Sequence, residues 1–186
     1  MQTINITSND EGQRLDKMLA KFMPEAPKSF FYKMMRKKNI VLNGKKASGS
    51  ERLAEGDEIK LFLADDTISK FQVAASEKEE EITDVKLDIV YEDDDILVIN
   101  NPVNMLSQKA SKDDVSLVEY ITSYLMKKGY DMKIFHPGIC NRLDRNTSGL
   151  IVAGKSVKGL QWMNEMFRER KLKKYYLCIV KGKIDK

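Results

Sequence analysis

The sequence predicts an α+β fold, in which short helices and antiparallel strands are arranged in two successive segments. Three observations lead to this prediction. Apolar residues recur at helical spacing near the N-terminus, an Asn43-Gly44 pair stands between two strand-like runs, and further β-branched runs alternate with helical patterns after residue 85. A chain of 186 residues has room for one or two domains.

The N-terminal segment combines two predicted helices with a small sheet. Four apolar residues at the spacing i, i+3, i+4 and i+7 predict a first amphipathic helix. A second helix begins near Pro27, whose missing N–H costs nothing in a first turn, and extends to about Lys38. The run IVLNGKKA predicts a hairpin, because Asn-Gly is a strong turn signal, and GDEIKLFLA predicts another strand. The four apolar residues that predict the first helix are Leu15, Met18, Leu19 and Phe22. We assign residues 1–63 to this first domain.

Charge is distributed unevenly along the chain, although the net charge is only +4. Residues 28–46 hold seven basic side chains and no acid, and residues 168–183 hold seven basic side chains against one acid. Between them, residues 65–95 hold twelve acids against three lysines. Two basic blocks separated by an acidic one indicate two surfaces that meet a polyanion. Either block by itself could equally be a solvated helix face.

The second domain is predicted to follow an acidic linker. Residues 64–84 have no sustained apolar period and contain a run of glutamates, so we assign them to the linker and residues 85–186 to the second domain. DIVYE and DILVIN predict strands, VSLVEYITSYLMKKG a helix, LIVAG a strand, SVKGLQWMNEMFRERK a helix and KYYLCIVKG a final strand.

Several classes of site and location have little support in the sequence. His136 is the only histidine, so a zinc site or a Ser-His-Asp triad lacks its residues. Asp93, Asp94 and Asp95 are interpreted as a polar hairpin tip, with a metal site as the weaker alternative. Cys140 and Cys178 are expected to be small buried hydrophobes. No membrane-length apolar run and no signal-peptide core are present, which favours a cytoplasmic location.

The stretch GICNRLDRNTSGL, residues 138–150, carries the candidate chemistry. Asp144 stands between Arg142 and Arg145 and is followed by a polar turn and an apolar strand. A carboxylate beside two guanidinium groups stays ionised at neutral pH, which suits a nucleophile or a base better than a general acid. The alternative, from the charges alone, is a structural salt bridge that closes a turn.

The N-terminal segment resembles the small RNA-binding domain first recognised in ribosomal protein S-four. The resemblance covers about residues 12–63 and rests on GQRLDKMLA, the basic second helix, IVLNGKKA and GDEIKLFL in that order. It implies a positive surface that grips folded RNA mainly through shape and phosphate contacts. We call the following residues the basic surface: Arg14, Lys17, Lys33, Arg36, Lys37, Lys38 and Lys45.

The stretch PGICNRLDRNTSGLIVAGKS closely resembles the catalytic signature of the RluA-type pseudouridine synthases. DDDILVINNPVNMLSQ and KKYYLCIVKG resemble two further motifs of that family, in the same order. The resemblance implies a mixed or antiparallel sheet and the conversion of uridine to pseudouridine within RNA, most often large-subunit ribosomal RNA, without cofactor or metal. It implies that Asp144 acts on the nucleotide and that Tyr176 packs on the target base. Arg142 would fill the space left by the extruded uridine, and Arg145 would contact phosphate.

The sequence departs from the family pattern at three places. Asn141 stands where the family usually has histidine, and Asn101 stands where it usually has lysine; we expect altered RNA contacts more than lost chemistry. The family's catalytic domain continues beyond the strand that carries Tyr176, so we expect this chain to hold only its first part and to be inactive alone. We also expect self-association through an open sheet edge in residues 85–186. The alternative function is a non-catalytic RNA-binding protein with a remnant synthase domain.

Overall fold

The computed structural model describes residues 1–72, 86–111, 114–132 and 134–183. Two antiparallel four-stranded sheets, each packed against helices, make the fold α+β, as predicted. The elements in chain order are β1 (Gln2–Asn5), α1 (Leu15–Phe22), α2 (Lys28–Arg36), β2 (Ile40–Leu42), β3 (Lys45–Lys46), β4 (Glu58–Leu61), α3 (Asp65–Gln72), β5 (Ile89–Glu92), β6 (Ile96–Asn101), α4 (Leu117–Lys127), β7 (Gly138–Ile139), β8 (Gly149–Gly154) and α5 (Val157–Arg168).

The first sheet has the strand order β1-β4-β2-β3, and α1 and α2 bury their apolar faces in its core. The predicted hairpin is confirmed, because β2 and β3 pair around Asn43 and Gly44. Both turn residues have positive φ, 51° and 71°, which is the backbone that favours Asn-Gly between two strands. The core of this sheet includes Leu15, Phe31 and Ile59, all buried.

The segment predicted as an acidic linker begins with a helix. α3 places Ile68 in the core of the first sheet, where it is buried, and Phe71 packs against Phe30 with the rings tilted by 54° and 4.9 Å between their centroids. The sequence pattern missed this helix because only two of its apolar side chains face inward. Residues 73–84 of the predicted linker lie outside the described residues.

The second sheet has the order β5-β6-β8-β7. β6 and β8 form its centre and pair over six positions, from Ile96 opposite Gly154 to Asn101 opposite Gly149. α4 packs on this sheet as predicted and begins with a capping box, in which Ser116 and Glu119 satisfy each other's backbone N–H groups.

Three secondary-structure predictions need correction. β1 and β7 were not predicted, because a four-residue and a two-residue strand leave almost no periodic signal. The predicted strand KYYLCIVKG is absent: residues 174–182 form no helix or strand, and no described strand pairs with them. Cys178, expected to be buried, is exposed, and Cys140 is only partly buried.

The two segments of the chain contact each other through a few residues outside the sheets. The N–H of Val157, at the start of α5, donates to the carbonyl of Asn9 at 3.0 Å, and Lys21 lies 5.5 Å from the ring centre of Phe135. Ile134 packs on the core of the first sheet. In the described part of the chain, no helix has the length and apolar character needed to cross a membrane.

Candidate functional site

The loop of residues 140–148 joins β7 to β8 and carries Asp144. Its start is attached to β8, because the N–H of Cys140 donates to the carbonyl of Val152 at 2.7 Å. The side-chain amide of Asn141 continues this attachment: Nδ2 donates to the carbonyl of Leu150 at 3.0 Å, and Oδ1 accepts from the N–H of Val152 at 2.9 Å. The amide therefore pairs with the edge of β8 in the way a neighbouring strand would.

The middle of the loop is held by the segment that follows β6. The hydroxyl of Ser107 donates to the carbonyl of Leu143 and accepts from its N–H, both at 3.1 Å. Asn104, at a φ of 67°, donates its N–H to the carbonyl of Arg145 at 2.8 Å. Asp144 is thus flanked on both sides by backbone groups tied to another segment, and the loop is fixed at this residue.

Asp144 itself lies on the surface. Its carbonyl accepts from the N–H of Thr147 at 2.9 Å, which closes a turn, but its side chain is exposed. No salt bridge within 4.0 Å joins this carboxylate to Arg142 or Arg145 in the part of the chain that the structure describes. The alternative of a structural salt bridge that closes the turn is therefore wrong for this structure.

Both arginines of the motif are exposed as well. Leu143, between Arg142 and Asp144, instead packs against the core of the second sheet. The three charged side chains therefore face solvent, and the apolar side chain of Leu143 anchors the loop to the core. The loop can present a carboxylate and two cations to a polyanionic molecule that approaches from solvent.

Asn101, the other departure from the family pattern, has a structural position. It is 1% exposed at the end of β6, and its Nδ2 donates to the carbonyl of Met105 at 3.1 Å. Its Oδ1 is buried without a hydrogen-bond partner among the described residues. Asn101 holds the segment that carries Asn104 and Ser107. A change of Asn101 would therefore reach the loop of Asp144 through the hydrogen bonds that Asn104 and Ser107 make to that loop.

Tyr176 is not brought to Asp144 in this structure. Its side chain is 65% exposed, and no hydrogen bond joins it to Asp144 within the described ranges. Its neighbour Lys174 lies 4.9 Å from the ring centre of Phe167, which holds the start of this segment against the end of α5.

The basic surface is exposed at every predicted residue. Arg14 differs from the others in having a close partner, because its guanidinium donates to both carboxylate oxygens of Asp16, at 3.0 and 2.9 Å. The hydrogen bond and charge of Asp16 raise the pKa of Arg14 above its ordinary value. The guanidinium of Arg14 therefore already forms a salt bridge within the protein, whereas Lys33, Arg36 and Lys37 form no salt bridge with described residues.

An ion cluster at the end of β5 was missed by sequence reasoning. Glu92 accepts hydrogen bonds from the hydroxyl of Tyr124 at 2.6 Å, from Lys128 and from Lys155 at 2.8 Å. Lys155 is only 3% exposed and also donates to the carbonyl of Asp93. Burial by itself would raise the pKa of Glu92, but hydrogen bonds from Lys155, Tyr124 and Lys128 outweigh it and lower the pKa to about 2.

Two of the three adjacent aspartates make hydrogen bonds, Asp93 within the turn and Asp95 to the N-cap residue of α5. Asp93 accepts from the N–H groups of Asp95 and Ile96, at 2.9 and 2.7 Å, and closes the hairpin between β5 and β6. Asp95 accepts a short hydrogen bond from Ser156, the N-cap of α5. No group of three or more potential metal ligands occurs among the residues described. The hairpin-tip interpretation accounts for these carboxylates.

Comparison with known proteins gives one family. Residues 95–186 match the model described as RNA pseudouridylate synthase. A ribosomal large subunit pseudouridine synthase C from Rickettsia bellii (strain RML369-C) is 36% identical over 176 residues, which cover 91% of this chain and 56% of that protein. The protein of the same name from Escherichia coli (strain K12) is 30% identical over 190 residues, which cover 98% of this chain and 55% of that protein. The chain spans about half the length of these curated relatives.

Among solved structures, Human RNA Pseudouridylate Synthase Domain Containing 4 matches with a TM-score of 0.36 and 24% identity. That match covers 45% of this chain and 30% of the human chain.

Proposed function

We propose that the chain belongs to the RNA pseudouridylate synthase family and supplies the uridine-isomerising aspartate of an enzyme that acts on RNA. The observation that carries this proposal is the loop of Asp144. Hydrogen bonds from Ser107 and Asn104 fix the backbone on either side of this residue, while its carboxylate faces outward between two arginines.

The reaction detaches uracil from its ribose at nitrogen and rejoins it through carbon, so the product is an isomer of the substrate and no cofactor is consumed. Asp144 has one of two roles in it. The carboxylate either attacks the sugar as a nucleophile or removes a proton from it as a base. Both roles need an ionised carboxylate near the sugar, and a solvent-facing carboxylate on a fixed loop can meet that requirement when RNA covers it.

Arg142 and Arg145 act on the RNA rather than on the bond that breaks. A uridine inside a helix is out of reach of a carboxylate, so it has to be extruded from the stack. Arg142, which is exposed next to Asp144, fills the space that the base leaves, and Arg145 contacts the backbone phosphates. Tyr176 packs on the extruded base.

The substrate we propose is large-subunit ribosomal RNA, and the site of action is the cytoplasm. The names of the relatives from Rickettsia bellii and Escherichia coli both include the words ribosomal large subunit, which supports this proposal. The exposed cations of the basic surface support binding of folded RNA through phosphates, because apart from Arg14 they form no salt bridge with the residues that the structure describes.

A second candidate function is non-catalytic RNA binding. Two observations favour it for the 186-residue chain alone: Asp144 is open to solvent, and Tyr176 makes no hydrogen bond with it in the described residues. We therefore expect the chain by itself to bind RNA without turnover.

The two candidates are separated by mapping pseudouridine on ribosomal RNA after incubation with two proteins. One is this chain, and the other is the chain extended at its C-terminus by the remaining catalytic residues of the Rickettsia bellii relative. We expect RNA binding by both and pseudouridine from the extended protein only. Binding by both without any pseudouridine would support the non-catalytic function, and turnover by the short chain would show that Asp144 and Tyr176 need no further residues.

A further inference from the structure

Tyr32 is an exposed aromatic residue in the middle of a basic helix. It lies on α2 with 45% of its surface exposed, although its neighbours Phe31 and Met35 are buried. Its hydroxyl donates to the carboxylate of Asp16 at 3.0 Å, and the same carboxylate is held by two hydrogen bonds from Arg14. The polar end of the ring is therefore satisfied within the protein, and what remains open is aromatic surface.

The ring of Tyr32 is also held in place by the loop that precedes β4. Gly49, at a φ of 94°, lies so close that a side-chain Cβ there would be 3.1 Å from the Cε1 atom of Tyr32. The loop itself is fixed, because the carbonyl of Gly49 accepts from the N–H of Asp16 at 2.9 Å and Glu51 accepts from the N–H of Gly49 at 2.7 Å. A ring held at its hydroxyl and approached by the loop at Cε1 loses little freedom when a ligand packs on it.

Cations flank this ring along the helix. Lys28 and Arg36 stand four residues before and after Tyr32, which places all three in one row on the surface of α2. Both cations are exposed, and neither forms a salt bridge with any residue that the structure describes. An aromatic face between two unpaired cations matches the alternation of base and phosphate in an unpaired nucleic-acid strand.

We propose that Tyr32 is a stacking platform for one unpaired base of the bound RNA, with Lys28 and Arg36 on the adjoining phosphates. The proposal rests on the RNA function proposed above and adds a preference for single-stranded or looped segments next to the duplex. Bases inside an A-form helix present no free face to a side chain, so the platform distinguishes looped from fully paired RNA.

The test compares three variants of the full chain on two RNAs, a hairpin with an unpaired loop and a fully paired duplex of the same length. Tyr32→Ala removes the ring, and Tyr32→Phe keeps the ring but removes its hydrogen bond. The matched control is Tyr91→Ala, because Tyr91 is equally an exposed tyrosine that donates to an aspartate, at 2.9 Å, but lies on the second sheet. Affinity is measured by fluorescence anisotropy over a series of salt concentrations.

We expect Tyr32→Ala to weaken hairpin binding by about fivefold to a hundredfold, the range for removing one base stack, and to leave duplex binding unchanged. The slope of log affinity against log salt should stay the same, because the ring carries no charge that neutralises a phosphate. Tyr32→Phe and Tyr91→Ala should bind the hairpin as the parent does. An equal loss on both RNAs, a changed slope, or no loss at all would overturn the proposal.

A second measurement does not depend on the folding of a variant. A fluorescent purine analogue placed in the hairpin loop should be quenched when the parent chain binds, and an unquenched probe at every loop position would overturn the platform. If the parent binds neither RNA, the proposed RNA function fails together with the platform. If it binds the hairpin and Tyr32→Ala binds equally well, only the platform fails.

Discussion

Asp144 is the residue on which the proposed chemistry depends. In the protein extended to include the rest of the catalytic domain, Asp144→Asn should abolish pseudouridine formation and leave RNA affinity within about twofold. The amide keeps the volume and much of the hydrogen bonding of the carboxylate, but it is neither a nucleophile nor a base. Pseudouridine mapping and anisotropy measure the two effects. Asp94→Asn, at an exposed aspartate of the hairpin tip, is the control and should keep full activity. Activity that survives in Asp144→Asn would remove this residue from the mechanism.

Arg142 should affect the rate in a way that depends on the RNA. Its proposed task is to fill the stack after the uridine leaves, so Arg142→Ala should slow turnover at a base-paired uridine by about tenfold to a hundredfold, corresponding to a few kcal/mol of unstacking. At a uridine in an open loop, where the base is already unstacked, the loss should be much smaller. Single-turnover rates on the two RNAs measure the difference. An equal loss on both would indicate that Arg142 contributes to chemistry or to general binding.

At the scale of elements, α2 is predicted to supply phosphate contacts. Changing Lys33, Arg36 and Lys37 together to Ala should weaken binding to all RNA sequences and flatten the log–log salt dependence, by about 0.7 to 0.9 for each phosphate that is no longer neutralised. The control removes three exposed lysines from other helices, Lys70, Lys127 and Lys158, and should leave the slope nearly unchanged. An unchanged slope in the α2 variant would place the RNA surface elsewhere.

The stability of the junction between β5, α4 and the end of β8 is expected to depend on pH, because Glu92 holds this junction as an ionised carboxylate. The pKa of this carboxyl is about 2 in the folded protein, below its ordinary value of 4.5. Its contribution to the free energy of unfolding is therefore complete above pH 5 and is lost as pH falls towards 2. Glu92→Gln should reduce the free energy of unfolding by roughly 2–4 kcal/mol at pH 7, because it also leaves the charge of buried Lys155 without its partner. At pH 3 the difference from the parent should be clearly smaller.

Denaturant titrations at both pH values measure this effect. Glu55→Gln, at an exposed position in the first segment, serves as the control and should change stability little at either pH. A destabilisation by Glu92→Gln that is the same at pH 3 and pH 7 would show that the ion cluster does not control the pH dependence.

At the scale of the whole molecule, the apolar segment after α5 is expected to cause self-association. Leu177 and Ile179 are fully exposed, and residues 172–180 have no strand partner in the described structure. Exposed β-branched and aromatic side chains with unpaired backbone groups favour pairing with another chain. We expect light scattering to detect dimers or larger species of the 186-residue chain.

Two comparisons test this expectation. Leu177→Lys combined with Ile179→Lys should reduce association, whereas Met126→Lys combined with Trp162→Lys, at exposed apolar positions on α4 and α5, should not. Residues 1–72, a fragment that keeps α3 on the first core, should stay monomeric. A monomeric parent chain would contradict the prediction.

Much of the fold followed from local pattern. α1, α2, α4 and α5 carry apolar residues at helical spacing, and the β2–β3 hairpin is encoded by Asn43 and Gly44. These signals involve residues a few positions apart, so they can be read without knowing the neighbours in space. α3 and β1 are not predicted by local pattern, because their formation depends on packing and pairing with distant residues, such as Ile4 opposite Ile59.

The sequence by itself determined the motif that carries Asp144, its resemblance to the pseudouridine synthases and the cluster of cations on α2. Only the tertiary structure decided that Asn141 pairs with the edge of β8, that Ser107 fixes the loop from 36 positions away, and that Glu92 holds Lys155 across 63 positions. The physical reason is that a side-chain hydrogen bond between distant segments depends on how sheets and helices pack, and packing leaves no periodic trace in the residues that it brings together.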